Sequence, residues 1–483
     1  MAIGNRHQQA MELARGGQMD AAFEAFDAYL REFPDHGSAW NDAGAVLYAQ
    51  GRYAEAIRYF SQAVDLQGHP PQTYRNLVRA YLAAGRPWQA MGWFETLCGE
   101  GLLDAELVEQ IAEAFIACRD CASAMEVLWR GRAALPDADR LAARIEALRG
   151  RRAKIAFFWG GDGPTFLNDI LDYARGRYQV RTFEGKTTGQ MHELMQWSDI
   201  SWFEWCTDEM VVAASRLPKV CRTIVRLHRW EAYLERLDQI NWQTMDVLML
   251  VGNSFVRQAL EQQVPDIARR IAVVTIPNGV NLDKFKFRRR KKGKKIVQLG
   301  HLRMIKRPDF TLQCMKKLYE IDPDYHLHFA GRWQDDALQQ YLWHMTRQLG
   351  LEDVVHFDGY QSDVETYLED VDYNVSSSLS ESQGMGLLEA MARGIKPVIH
   401  HFPGAEEIFG REFLFRTPEE FCQRVLEPSY TPQRYRVFVE RRYPLAGQLR
   451  HINELLAMFE KDPWTQQPGP RSEQSSALSA LSV

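Results

Sequence analysis

The sequence predicts a chain of class α + α/β: a helical N-terminal array followed by two parallel-sheet α/β domains in tandem. Three observations carry that prediction. Small and large apolar residues recur at one fixed spacing through the first 140 residues. A short apolar strand running into glycines opens a strand–helix alternation near Gly150. A second alternation starts near Lys295, just after a strongly basic run.

In the first part, Ala22, Ala56, Ala90 and Ala124 are each 34 residues apart, and Phe26, Phe60, Phe94 and Leu128 follow them by four. Gly17, Gly51 and Gly85 precede the alanines by five, and Arg119 stands in the glycine's place in the fourth unit. Trp40 and Tyr74 share another phase, and Pro34 and Pro136 close their repeats. A small residue lets two helices cross closely, and a large one fills the space between successive hairpins. With this period, the pattern matches the tetratricopeptide repeat. Four repeats over residues 1–150 predict eight helices, one face of which is commonly a peptide-binding groove. Cys118 and Cys121 form a C-x-x-C with no second pair nearby, so neither zinc nor redox chemistry is expected there.

Residues 154–159, KIAFFW, read as a strand entering Gly160-Gly161-Asp162-Gly163, with a helix over 164–175. Further strands are expected at 200–203, 223–227, 247–251 and 273–276. A second series is expected at 296–299, 326–330, 354–357, 373–375 and 397–399. Helical segments separate these strands, which implies parallel sheets. The boundary run 286–295 holds eight basic residues in ten. It reads as an interdomain linker with a solvated charge run, the alternative being peripheral contact with an anionic membrane surface or an acidic partner. Residues 442–459 read as an amphipathic helix, and the tail 464–483, rich in Ser, Gln, Pro and Ala, as disordered.

Composition narrows the function. With 483 residues, 46% apolar and 25% charged, the chain is an ordinary globular one, and a net charge of −5 gives no reason to expect nucleic-acid binding. No apolar run approaches the ~20 residues of a membrane span. No apolar segment marks the N-terminus as a secretion signal. Seven scattered cysteines suit a reducing compartment, so a cytoplasmic location is expected.

The chemistry is concentrated in SSSLSESQGMGLLEAMARGIKPVIHHFPGAEEI, residues 376–408. Glu381 and Glu389 stand eight apart, with Gly384-Met385-Gly386 between them and a helix-forming run after. Strand, small-residue turn and helix N-terminus is the geometry that offers free backbone N–H groups to a phosphate. Glu389, one turn into the helix, can accept hydrogen bonds from the vicinal hydroxyls of a ribose. Glu381, at the strand's end, faces whatever the phosphate carries. Diphosphate, ribose and sugar together describe a nucleotide-sugar site.

This segment resembles the E-x7-E segment of retaining family 4 glycosyltransferases of the GT-B fold. Glu381, Gly384, Glu389, Ala390, Met391, Ala392, Gly394, Pro397, Val398, Gly404 and Glu407 match that pattern, and weaker likeness runs over residues 151–463. The resemblance implies two Rossmann-like domains, 151–285 on the acceptor side and 286–430 on the donor side. A closing helix within 431–463 would cross back to the first domain. It implies a nucleotide-sugar donor as co-substrate, no further cofactor and no metal, with basic side chains and a helix N-terminus neutralising the departing diphosphate. In G-H-L-R-M-I-K-R-P-D, Lys306 takes the family's lysine position, His301 replaces the usual arginine, and Arg303 lies two residues on.

On the same grounds, His228 is expected near the donor sugar. Gly160 and Gly161 form the glycine loop against the diphosphate, with Asp162 a candidate to orient the acceptor. Tyr360 lies in the loop beside the base, and Asn253-Ser254 and Asn278-Gly279 match family segments that support the fold. His228, Glu381 and Lys306 are thus the expected catalytic residues. The expected donor-binding set is Gly160, Gly161, Arg303, Lys306, Tyr360, Gly384, Met385, Gly386 and Glu389. Fusion to repeats resembles the arrangement of bacterial enzymes that O-glycosylate serine or threonine of proteins such as flagellins and adhesins. The alternatives are a lipid-linked saccharide or polysaccharide acceptor, or a non-catalytic scaffold.

Overall fold

A computed structural model describes residues 2–66, 68–160, 163 and 167–465. Gly161, Asp162, the start of the helix expected over 164–175 and the tail beyond 465 therefore lie outside the described residues. The chain forms two compact units, Met1–Arg152 with Arg175–Gln179, and Ala153–Ala174 with the residues from Val180 on.

The first unit is a run of helical hairpins: Ala2–Arg15 with Met19–Glu32, Gly37–Ala49 with Tyr53–Asp65, Gln72–Ala83 with a broken partner, and Ala105–Ala117 with Cys121–Ala134. A further helix, Asp139–Arg149, covers the last hairpin, where Leu141, Ile145 and Leu148 are buried. The broken helix runs as Pro87–Met91 and Phe94–Gly99, interrupted at Gly92, a poor helix former. Ala22, Ala56, Ala90 and Ala124 are all 0% exposed, and Phe26, Phe60, Phe94 and Leu128 are at most 2% exposed. Gly17, Gly51 and Gly85 turn between helices at φ of 76°, 76° and 69°, and Arg119 takes the same left-handed turn at 58°. The fourth repeat has lost the glycine but kept the backbone it served, a strain that a β-carbon makes costly.

The second unit holds two six-stranded sheets. The first contains β1 (Lys154–Trp159), β2 (Gln179–Thr182), β3 (Ile200–Glu204), β4 (Arg222–Leu227), β5 (Val247–Leu250) and β6 (Ala272–Thr275), in the order β2-β1-β3-β4-β5-β6. The second contains β7 (Lys295–Leu299), β8 (His326–Ala330), β9 (Val355–Gly359), β10 (Tyr373–Ser376), β11 (Lys396–His400) and β12 (Leu414–Phe415), in the order β12-β11-β10-β7-β8-β9. The pairings β1–β3, β3–β4, β4–β5 and β5–β6 are parallel, as are those from β12 across to β9. In each sheet the chain first builds outward on one side of the opening strand and then returns to the other. The switch points lie between β1 and β3 and between β7 and β10, and ligands of open α/β sheets bind at the strand C-termini beside such points.

The halves of this unit are tied together at their junction. Val280 pairs in parallel with Pro444, and the Val280 N–H donates to the Tyr443 carbonyl at 2.8 Å. Asn278 and Gln383 exchange two hydrogen bonds of 2.7 Å, backbone to side chain. The helix Leu445–Lys461 ends against the first sheet, where Arg222 meets Asp462 at 2.7 Å and Glu460 accepts from the Ala153 N–H at 3.0 Å. Tyr443 and Pro444 separate it from a preceding helix, Pro432–Arg442, so the helix expected from 442 starts three residues later.

The basic run is solvated in most of its length, with six of its eight basic residues exposed, but several of its side chains are also tied to the fold. Arg290 donates to four backbone carbonyls, those of Arg393, Glu369, Val371 and Leu368, at 2.8–3.1 Å. Lys292 donates to the Leu426 and Glu427 carbonyls, Lys294 pairs with Asp322 and Asp324, and Lys295 with Asp370. Helix ends leave carbonyls without partners, and this run supplies the donors. Lys286, Arg288, Arg289, Lys291, Lys292 and Lys294 are exposed.

Candidate functional site

The loops that leave β7 and β10 part at the switch point and converge on one ion pair. Lys306, in the 3₁₀ turn Met304–Lys306, donates its Nζ proton to Glu381 Oε1, which also accepts from the Ser378 hydroxyl at 2.6 Å. The Lys306 carbonyl is held by Gln298 Nε2 at 2.9 Å and by the Ser377 hydroxyl at 2.7 Å, which fixes the turn to β7 and β10. Burial pushes the Glu381 carboxyl up, but Lys306, Ser378 and Arg229 outweigh it and leave it below the ordinary value. Glu381 is therefore ionised at neutral pH, and Lys306 is its counter-ion.

Gly384 caps the next helix, Met385–Ala392, at φ 74°, a left-handed position that a side chain would strain. The Asn374 amide donates to the Gly386 carbonyl at 2.9 Å and binds this turn to β10. Met385 and Gly386 are the first two helical residues, so their N–H groups are among those with no intrahelical partner. Glu389 follows on the same helix, and its carboxyl makes no hydrogen bond or ion pair among the described residues. Burial pushes its carboxyl up to about 7, with Lys284 pulling down and Asp169 adding to the rise. Asp169 belongs to the helix after β1, so Glu389 faces the other half of the unit.

His228 follows β4 and is 5% exposed. Its Nε2 lies 2.8 Å from Glu204 Oε1, at the end of β3, and its ring stacks on Trp205 with centroids 4.1 Å apart. Glu204 also accepts from Arg226 at 2.8 Å and from Trp202 Nε1 at 3.0 Å. Burial would raise the Glu204 carboxyl, yet Arg226, His228 and Trp202 hold it at about 2. For His228, burial lowers the value and Glu204 only partly restores it, so the imidazole is neutral at pH 7. The loops that carry His228 and Glu381 touch: the N–H of Arg229 donates to the Ser382 hydroxyl at 2.9 Å. Nearby, Ser254 donates through its N–H and hydroxyl to Glu407, at 2.8 and 2.5 Å.

The remaining expected residues are more dispersed. Gly160 follows β1, where a β-carbon would lie 2.8 Å from the Thr207 methyl, a close approach at the first switch point. Arg303 is exposed, and its guanidinium makes no hydrogen bond or ion pair among the described residues; His301 is exposed too. Tyr360, past β9, is 57% exposed and carries the Arg332 guanidinium 4.1 Å above its ring. Among the described residues, no cluster of His, Cys, Asp and Glu could hold a metal ion.

The residues that sequence reasoning missed are Glu204, Trp205, Arg226, Ser378 and Gln383. A signal was present for two of them: Glu204 and Arg226 are charges set in the otherwise apolar stretches ISWFE and TIVRL. In the first unit, successive first helices of the hairpins enclose a groove of about 740 Å³ lined by Tyr48, Arg79, Glu106, Glu109, Glu113 and Arg144. No helix among the described residues is long and apolar enough to cross a membrane.

Residues 280–428 match the family model described as Glycosyl transferases group 1, and residues 7–72 and 47–98 match models of the tetratricopeptide repeat. Mannosylfructose-phosphate synthase of Agrobacterium fabrum is 34% identical over 137 residues, 26% of this chain and 30% of that protein. Glycosyltransferase 1 domain-containing protein 1 of Xenopus tropicalis is 28% identical over 132 residues, 26% of this chain and 37% of that protein. The chain thus spans about a third of the length of these curated relatives. Among solved structures, Anabaena HepE in complex with UDP is similar with a TM-score of 0.53 at 15% identity, covering 63% of this chain and 100% of that one. A glycosyltransferase from Rickettsia africae gives 0.52 at 14%, covering 64% and 99%. Residues 7–98 thus match tetratricopeptide repeats and residues 280–428 a group 1 glycosyltransferase domain, and the two parallel-sheet halves have the GT-B fold.

Proposed function

We propose that the chain is a retaining, metal-independent glycosyltransferase that moves a sugar from a nucleotide donor to a hydroxyl on a protein recruited by the repeats. The observation that supports it most is the convergence at the second switch point: Lys306 paired with Glu381, a glycine-capped helix N-terminus, and Glu389 with its carboxylate unclaimed. In this reading the N–H groups of Met385 and Gly386, with Lys306, neutralise the charge that develops on the departing diphosphate. Exposed Arg303 is near enough in sequence to join them once a donor is bound. Glu389 accepts from the ribose hydroxyls, Tyr360 lies beside the base, and Glu381 and His228 meet the sugar.

The reaction breaks the bond between C1 of the sugar and the diphosphate oxygen, and forms one between C1 and the acceptor oxygen on the same face. The acceptor's proton leaves with the diphosphate. UDP is the nucleotide named in the HepE complex, which makes UDP-sugars the first donors to test.

A protein acceptor is supported by the repeats and their groove. The alternative, a lipid-linked saccharide or polysaccharide acceptor, would draw on the basic run 286–295, where Arg290 and Lys295 are held by carbonyls and a carboxylate and the other six basic residues are exposed. The test is mass spectrometry of candidate acceptor proteins co-expressed with the chain or with its Glu381→Ala variant. Hexose-type additions on serine or threonine with the wild type alone support the reading. Identical spectra for both across a panel that includes the host's surface proteins would remove it.

A further inference from the structure

Glu204 sits 1% exposed beneath His228 and takes three donors on two oxygens: Arg226 and His228 on Oε1, Trp202 on Oε2. Arg226 and Trp202 have only N–H to offer, and the carboxylate, ionised down to about 2, has no proton to give. The third partner must then donate as well, which assigns the proton to His228 Nε2. Ring stacking on Trp205 fixes the plane in which that bond lies. Trp205 itself sits at φ 72°, a left-handed conformation rare for a bulky residue and retained only where surroundings enforce it. The network continues outward, because Arg226 also donates to the Asn278 side chain, whose backbone is held by Gln383, two residues past Glu381.

We infer that Glu204 is a positioning residue that holds His228 as the Nε2–H tautomer, so that Nδ1 is the ring's hydrogen-bond acceptor at neutral pH. This rests on the proposed function for its consequence, since a ring held in one plane and one tautomer meets the sugar in one way. It does not rest on that function for its geometry. A neutral imidazole with a carboxylate on one nitrogen keeps one tautomer, and the arrangement costs no reorganisation when substrate arrives.

The test uses the full chain with ¹⁵N-labelled histidine at pH 7.5 and no ligand, with the His228 signals assigned by loss in His228→Gln. Long-range ¹H–¹⁵N correlation is expected to show Nε2 protonated and Nδ1 unprotonated; the reverse pattern overturns the inference. Glu204→Gln presents an amide that can donate to Nε2, and is expected to raise the Nδ1–H population and to lower kcat at least tenfold with the UDP Kd unchanged. A folded Glu204→Gln with shifted tautomer and wild-type kcat also overturns it. Because that variant leaves Arg226 a buried cation without its carboxylate, Glu204→Gln with Arg226→Met serves where the single variant does not fold. Should wild type fail to bind UDP or any other nucleoside diphosphate, the proposed function falls while the tautomer measurement still decides the role of Glu204.

Discussion

Glu389 is expected to make nucleotide binding depend on pH. Its carboxyl is raised to about 7 by burial, and only the deprotonated form can accept from both ribose hydroxyls. The competent form therefore predominates above pH 7 and is lost as pH falls through 7. With that midpoint, about nine-tenths of the sites are ionised at pH 8 and about one-tenth at pH 6. The apparent Kd of the nucleoside diphosphate should thus rise about tenfold between those values. Glu389→Ala removes a hydrogen bond to a charged acceptor, worth roughly 1.5–3 kcal/mol, which corresponds to about 10- to 150-fold in Kd at pH 8. Isothermal titration calorimetry of wild type, Glu389→Ala and Glu389→Gln across pH 6 to 8 measures both effects. Titration of the ligand's own phosphate acts on all three proteins alike, so the glutamine variant is the control. A glutamine variant with the same pH dependence as wild type, or a folded alanine variant with unchanged affinity, would refute the assignment.

Three further outcomes are expected. Glu381→Ala and His228→Ala should retain nucleoside diphosphate binding but lose turnover by orders of magnitude; parallel losses in calorimetric affinity would move both residues to the diphosphate. Arg119→Gly should raise thermal stability by about 0.5–1 kcal/mol, since it relieves a left-handed backbone strain of about 1–2 kcal/mol at an entropic cost of about 0.5–1 kcal/mol; a lower melting temperature would count against strain at that turn. Removal of residues 1–150, with folding checked by thermal melting, should abolish transfer to a protein acceptor and spare slow hydrolysis of the donor. The basis is local concentration, often millimolar for a tethered partner, and transfer at the full-length rate would contradict recruitment.

What could be read in the sequence was what is local. The repeat positions announced themselves because one period placed the same residue types on the same helix faces, and Ala22 through Ala124 are buried accordingly. The E-x7-E segment was legible for the same reason, since strand, turn and helix lie within a dozen residues. Strands β2 and β12 were not expected: the first is a polar edge strand of four residues and the second has only two. Glu204 and Arg226 lay beyond reach for a different reason. They are directly opposite one another in the β3–β4 register, and that register exists only once the sheet order is known. For the basic run, composition reported the exposed charge but not the carbonyls that part of it serves: Arg290 caps backbone that is 78 to 103 residues away in sequence. At Arg119 the residue changed while the backbone conformation persisted, which spacing of glycines alone could not reveal.

The central claim is that this cleft transfers a sugar with retention and without a metal. The most direct measurement is ¹H NMR of the reaction with an α-linked UDP-sugar in excess EDTA, read at early times before the product anomer equilibrates. The account predicts steady release of UDP and a first product whose anomeric coupling is that of an α-linkage, with Glu381→Ala silent under the same conditions. A β-linked first product, or activity that vanishes in EDTA and returns with Mn²⁺, would contradict it.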